Sequence, residues 1–196
     1  MAAGLATRMF RREGGAGAPA TDTPKGPPPA VACPLLRPFL KRVERVQPSP
    51  SLLLFGEMCG ANVSFLGARG LRISVEGSPV EPQAYSSGFS GALLWDHLSR
   101  LRPEAAVRWV AGLSDALVQG GAVLAFFPPV NATGDATRSR FRISSEELVA
   151  REPVGERAPV PGSYQNREII RLFGAFNLDL LHTHRSGDRE VLFFKA

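Results

Sequence analysis

Four short apolar runs, each stopped by glycine, proline or an acid, restrict this chain more than any other feature. They are SLLLF from Ser51, LRISVE from Leu71, GALLW from Gly91 and AVLAFF from Ala122. Runs of this length stopped so abruptly read as strands, and SLLLF, apolar at every position after the serine, reads as a buried one. Helical stretches fall between them. ANVSFLGARG closes on Arg69-Gly70, where glycine supplies a left-handed stop. PEAAVRWVAGLSDALVQGG has proline near its start and Gly120-Gly121 at its end. Strands alternating with helices predict parallel strands in a layered α/β sheet. The end of the chain differs: YQNREIIRLFGAF reads as a helix, and FNLDLLHTH and REVLFFKA as strands joined by Arg185-Ser186-Gly187-Asp188. So short a turn predicts an antiparallel hairpin.

Ahead of these runs the composition changes. The formal charge of +5 on 196 residues falls entirely within residues 1–50. There Arg8, Arg11, Arg12, Lys25, Arg37, Lys41, Arg42 and Arg45 outnumber Glu13, Asp22 and Glu44, and residues 51–196 are neutral. A uniformly basic nucleic-acid-binding domain is thereby excluded, and no specific nucleic acid is expected as a partner. Residues 1–33, rich in Ala, Gly, Pro and Thr, have too few apolar side chains to offset ordering entropy and read as a disordered tail. Its opening MAAGLATRMFRR also faintly resembles a transit peptide. Residues 34–50 read as an amphipathic helix and linker, with Leu35, Leu36, Phe39, Leu40, Val43 and Val46 on one stripe. The helix is either laid on the edge of the domain with its basic face solvated, or presents that face to a membrane or an acidic partner, and residues 1–46 are the segment such a partner would bind. Residues 51–196 form the domain.

No apolar run is long enough to span a membrane, and the N-terminus lacks the apolar segment of a signal peptide. Cys33 and Cys59 form neither a disulfide framework nor a zinc site by themselves, so a reduced, cytoplasmic protein is expected. No metal is expected either. His182 and His184 share one strand face but lack further ligands nearby in sequence.

The order of these elements resembles the class I S-adenosylmethionine-dependent methyltransferases. The stretch LLLFGEMCGANVSFLGARGLRISVEGSP (52–79) is similar to that family's first strand, glycine loop, helix and second strand. GALLWDHLSRLRPEAAVRWVAGLSDALVQGGAVLAFFPP (91–129) is similar to its fourth strand, helix and fifth strand, and the closing helix and hairpin complete the likeness. The resemblance implies a Rossmann-like sheet ending in an antiparallel hairpin. It also implies that Gly56 and Gly60 lie in the cofactor loop and that Glu76 holds the ribose hydroxyls. Met58 stands where the family has its middle glycine, and Leu54 where it has an acid. Only residues 77–90 separate Glu76 from the next strand, too few for a further helix and strand. The family's third strand and its helix are therefore expected to be missing, and with them the wall for adenine. S-adenosylmethionine is then expected to bind weakly or not at all.

Trp95-Asp96-His97 ends the GALLW strand, where open α/β sheets place their sites. Trp95 could stack on a ligand or belong to the core. Asp96 and His97 could act as base and acid, or Asp96 could cap the following helix. Residues 135–163 read as a polar loop, solvated or a partner or substrate surface, with SEEL at 145–148 starting like a capped helix. Two readings of function follow. One is a degenerate, non-catalytic methyltransferase-like domain acting through protein contacts, self-association included, with the strand edge beside LRISVE as a surface. The other is an active methyltransferase on an unidentified acceptor, its site completed by a partner chain.

Overall fold

The computed structural model describes residues 28–57, 59–76, 87–130, 135–159 and 164–196, with side chains left out at 135–137 and 156–159. Of the tail expected over residues 1–33, residues 1–27 lie outside the described residues. In chain order the elements are β1 (Ala30–Ala32), α1 (Leu36–Val46), β2 (Ser51–Phe55), α2 (Gly60–Gly67) and β3 (Arg72–Glu76). Then come β4 (Phe89–Trp95), a 3-10 turn (His97–Arg100), α3 (Pro103–Ala116) and β5 (Leu117–Phe127). The last are β6 (Asp135–Ser145), β7 (Leu148–Pro159), α4 (Asn166–Leu172), β8 (Phe176–Thr183) and β9 (Arg189–Lys195).

The apolar runs do form the centre of the molecule. Six strands make one sheet in the order β3-β2-β4-β5-β9-β8. β3, β2, β4 and β5 are parallel, while β9 runs antiparallel to β5 and β8 antiparallel to β9. Side chains alternate across this sheet. Leu53, Phe55, Ala92, Leu94, Val123 and Ala125 join the core under α3 and α4. Leu52, Leu54, Leu93, Ala122 and Leu124 join the core under α1. Among the described residues nothing pairs with the outer side of β3, which ends the sheet as the short connection implies.

Several expectations are corrected. The body begins well before residue 51, because α1 packs on the sheet with Leu36, Phe39, Leu40 and Val43 wholly buried. Its basic face is partly occupied within the chain: Arg37 pairs with Glu146 and Glu147 at 3.0 and 2.7 Å, and Arg42 with Asp179 at 2.9 Å. Ala30–Ala32, placed in the tail by composition, is a strand paired with β7. Residues 135–159 are no loop but an antiparallel hairpin, which with β1 makes a second sheet in the order β1-β7-β6. SEEL caps no helix, since Glu146 and Glu147 form the turn of that hairpin. Finally, Gly120-Gly121 does not end a helix. α3 stops at Ala116, and both glycines lie inside β5, where the pairing with β4 slips between Phe89 and Gly91. Among the described residues no helix is long and apolar enough to cross a membrane.

Candidate functional site

The residues singled out at the carboxyl edge of the sheet do lie together there. Glu76 pairs in register with Phe55, and Leu54 with Leu93, so the ends of β2, β3 and β4 are adjacent. Gly56 follows β2 with φ of +99°, a conformation that side chains resist and glycine adopts freely. Gly60 starts α2 and has open space where a Cβ would go, so nothing within the chain requires glycine there. Met58 lies outside the described residues. Glu76 is half-buried, and its Oε1 accepts a hydrogen bond from Ser74 Oγ at 3.2 Å.

Trp95 decides what this edge can hold. It is 3% exposed, and its φ of +47° is the one positive value at a described residue other than glycine. Left-handed backbone costs an L-residue about 1–2 kcal/mol, so surrounding contacts must hold it. They are aromatic. The indole lies parallel to Phe141 of β6 (4.8 Å between centroids, 2° between planes) and 5.5 Å from Phe126 of β5. Its other neighbour is the glycine turn: a Cβ placed on Gly56 would meet Trp95 Cδ1 at 3.6 Å. Asn62 of α2, 1% exposed, locks the hairpin in position. Its Nδ2 donates to the Phe141 carbonyl and its Oδ1 accepts from Ile143 N–H, both at 2.7 Å. Arg138 of β6 lies 3.9 Å from Glu57 in the glycine turn. The hairpin that sequence reading took for a loop thus lies across the place where the resemblance puts a cofactor. Among the described residues, Gly56 and Glu76 are the ones that would hold such a cofactor, and the buried Trp95 lies against the glycine turn between them and the hairpin.

Beyond the Trp95–Phe141 stack is a cavity of about 540 Å³ between the two sheets. Phe126, Phe127 and Pro128 line it from β5 and its end, Phe141 and Val149 from the hairpin. Asp96, Arg100, Arg151 and His184 add polar groups. Asp96 stands before the 3-10 turn, but its carboxylate makes no cap. It takes Arg100 Nη2 at 2.7 Å and lies 4.0 Å from Arg151 Nη2. His97 turns away from the cavity, between Phe55 and Trp109 at 5.7 and 4.8 Å, so it cannot serve with Asp96 as an acid–base pair. Burial, then the nearby charges of Arg100 and Arg138, lower its pKa from 6.5 to about 4.

Sequence reasoning missed the group that holds the cavity's far wall. Glu190 of β9 is wholly buried. Its Oε2 accepts from Leu35 N–H at 3.0 Å and from the Cys33 thiol at 3.5 Å, and its Oε1 accepts from His184 Nε2 at 2.6 Å. Burial, reinforced by the Glu190 carboxylate, pushes the Cys33 thiol far above its ordinary range, so it stays a protonated donor and no nucleophile. His184 is thus anchored, while His182, on the same strand face as the sequence implied, lies edge-on to it at 4.7 Å. The sequence signal was a glutamate at an otherwise apolar position of REVLFF. Both cysteines are free and buried, and among the described residues no three His, Cys, Asp or Glu side chains gather to hold a metal.

No protein-family model matches the chain, and no curated protein matches it in sequence. Solved structures do match, 237 chains of them. A S-adenosylmethionine-dependent methyltransferase from Clostridium acetobutylicum superposes with a TM-score of 0.55 at 9% identity, over 82% of this chain and 91% of that one. DesVI of Streptomyces venezuelae superposes with a TM-score of 0.55 at 12% identity, over 83% of this chain and 89% of its own. At such identities the likeness is one of fold. The chain has the class I methyltransferase-like fold, with β3, β2, β4, β5, β9 and β8 as its sheet.

Proposed function

We propose that this chain is a degenerate methyltransferase-like domain that does not catalyse methyl transfer and acts through contacts with protein partners. One observation carries the reading. Trp95 stands between the glycine turn, where a methyl donor would lie, and the cavity, where an acceptor would lie, and Phe141 backs it on the cavity side. Methyl transfer requires donor and acceptor atoms within about 3–3.5 Å, and two stacked rings between them forbid that approach. The outer side of β3, unpaired among the described residues, supplies a surface for a partner or a second copy.

Calorimetric titration of the full chain tests it. S-adenosylmethionine and S-adenosylhomocysteine should bind more weakly than about 1 mM, and micromolar binding by the isolated chain would overturn the reading. One set of facts favours the alternative of an active methyltransferase. Gly56 keeps its positive φ, and Glu76 ends the neighbouring strand. A partner chain laid along β3 would complete that site. Micromolar binding that appears only with such a partner, and is abolished by Glu76→Ala, would establish the alternative.

A further inference from the structure

We propose that the cavity between the two sheets is a binding site for a flat aromatic monocarboxylate of about two fused rings, with Arg151 as the residue that takes the carboxylate. The site binds its ligand whether or not a methyl donor is present. A volume of about 540 Å³ lies within the range of small-molecule sites, about 300–1,000 Å³, and its walls are of the matching kind. Phe126, Phe127 and Phe141 offer three aromatic faces and edges, and Val149 and Pro128 continue the apolar lining. A planar apolar body fits such walls better than a sugar or a peptide, whose many polar groups would be left unpaired.

Arg151 is placed to orient the ligand. Its Nε donates to Ser139 Oγ at 2.8 Å, which fixes the plane of the guanidinium, and its Cζ lies 5.6 Å from the centre of the Phe141 ring. Nη1 is 3.9 Å from Asp188 and Nη2 is 4.0 Å from Asp96, both too far for hydrogen bonds. Asp96 is already satisfied by Arg100 at 2.7 Å. Two donors of one rigid fork are therefore held ready beside an aromatic wall, the geometry that a carboxylate takes in bidentate fashion. Asp96 and Asp188 offset two of the three positive charges that Arg100, Arg151 and Arg185 bring to the lining, so a monoanion is selected over a dianion such as a phosphate ester. The wall opposite is pre-organised: Glu190, wholly buried, holds both Cys33 and His184 where they line the cavity.

The test uses 2-naphthoate as the ligand and the full chain, followed by calorimetry and ligand-observed NMR. Wild-type protein should bind one 2-naphthoate per chain, saturably. Arg151→Gln should weaken 2-naphthoate by about tenfold while leaving the uncharged 2-naphthol little changed. Ala32→Trp, at an exposed position of β1 that lines the cavity, should fill the space and abolish both, with an unchanged circular dichroism spectrum. Failure of wild-type protein to bind, or equal binding by either variant, would overturn the proposal. A parallel titration with S-adenosylhomocysteine separates the two readings. Its binding would overturn the non-catalytic one and leave this one standing, and failure of 2-naphthoate would do the reverse.

Discussion

At the scale of single residues, His97 shows what burial does to a titratable group that nothing answers. It is 3% exposed, and neither ring nitrogen has a hydrogen-bond partner among the described residues. With a folded pKa near 4 against 6.5, both folded and unfolded chains carry a neutral imidazole above pH 6.5, and stability is full there. Between pH 6.5 and 4 the unfolded chain takes up a proton that the folded one refuses, so stability falls as pH falls. Below pH 4 the loss is complete, about 3 kcal/mol for a shift of this size. His97→Leu removes the group and its two unanswered nitrogens. Urea titrations should show it more stable at pH 7 by about 1 kcal/mol. Its stability should also depend less on pH between 7 and 4 than that of the wild type. The two glycines of the turn separate in the same way. Gly56→Ala should destabilise by about 1–2 kcal/mol because of its positive φ, while Gly60→Ala, with open space and ordinary backbone, should be neutral or stabilising by about 0.5 kcal/mol. Residue type alone did not distinguish them, since backbone conformation is set by the chain on either side.

At the scale of elements, the seating of α1 on the sheet depends on a missing side chain. A Cβ on Gly91 of β4 would lie 2.5 Å from Val43 Cγ2 and 2.9 Å from the Ala122 carbonyl oxygen. Val43 can shift a little, but the β5 backbone cannot. Gly91→Ala should therefore push α1 outward and cost about 2 kcal/mol, a fall in Tm of about 4–8 °C. A thermal melt checks it, with Gly67→Ala, where space is open, as the control. The apolar stripe of α1 was plain in the sequence because helical periodicity depends on neighbours three and four apart. Its membership of the core was not, because the basic residues around the stripe pair with Glu146, Glu147 and Asp179 from distant parts of the chain. The β6–β7 hairpin was missed for a related reason. Charged residues on its solvent face hid the alternation of Phe141 and Ile143 with Arg140 and Arg142, a two-residue period that marks a half-buried strand.

At the scale of the molecule, the two sheets share one core. Phe141, Ile143 and Val149 of the small sheet lie in the same apolar cluster as Leu36, Phe39 and Leu40 of α1 and Leu54, Leu93 and Leu124 of the large one. The large sheet was legible in the order of apolar runs, because parallel strands buried on both faces leave a nearly continuous apolar signal. The closure of its carboxyl edge was not. It depends on Trp95 meeting Phe141 and on Asn62 reaching the β6 backbone, contacts between residues 46 and more than 75 positions apart respectively, which no local pattern encodes. A shared core predicts one cooperative transition. It also predicts that β1, three residues long, matters out of proportion to its length. β1 pairs Ala30, Val31 and Ala32 with Ala150, Val149 and Leu148, and the next residue, Cys33, donates its N–H to Glu147 at 2.7 Å and its thiol to Glu190. A chain beginning at Pro34 loses these bonds and leaves β6–β7 a two-stranded hairpin, whereas one beginning at Pro28 keeps them. At about 1 kcal/mol for each net hydrogen bond, the shorter chain should lose about 3 kcal/mol, which lowers Tm by about 6–12 °C. Far-ultraviolet and near-ultraviolet circular dichroism should fall together for the chain that begins at Pro28. If the near-ultraviolet signal of the Trp95 surroundings is lost first, the small sheet is a separate folding unit and the shared core does not couple the two.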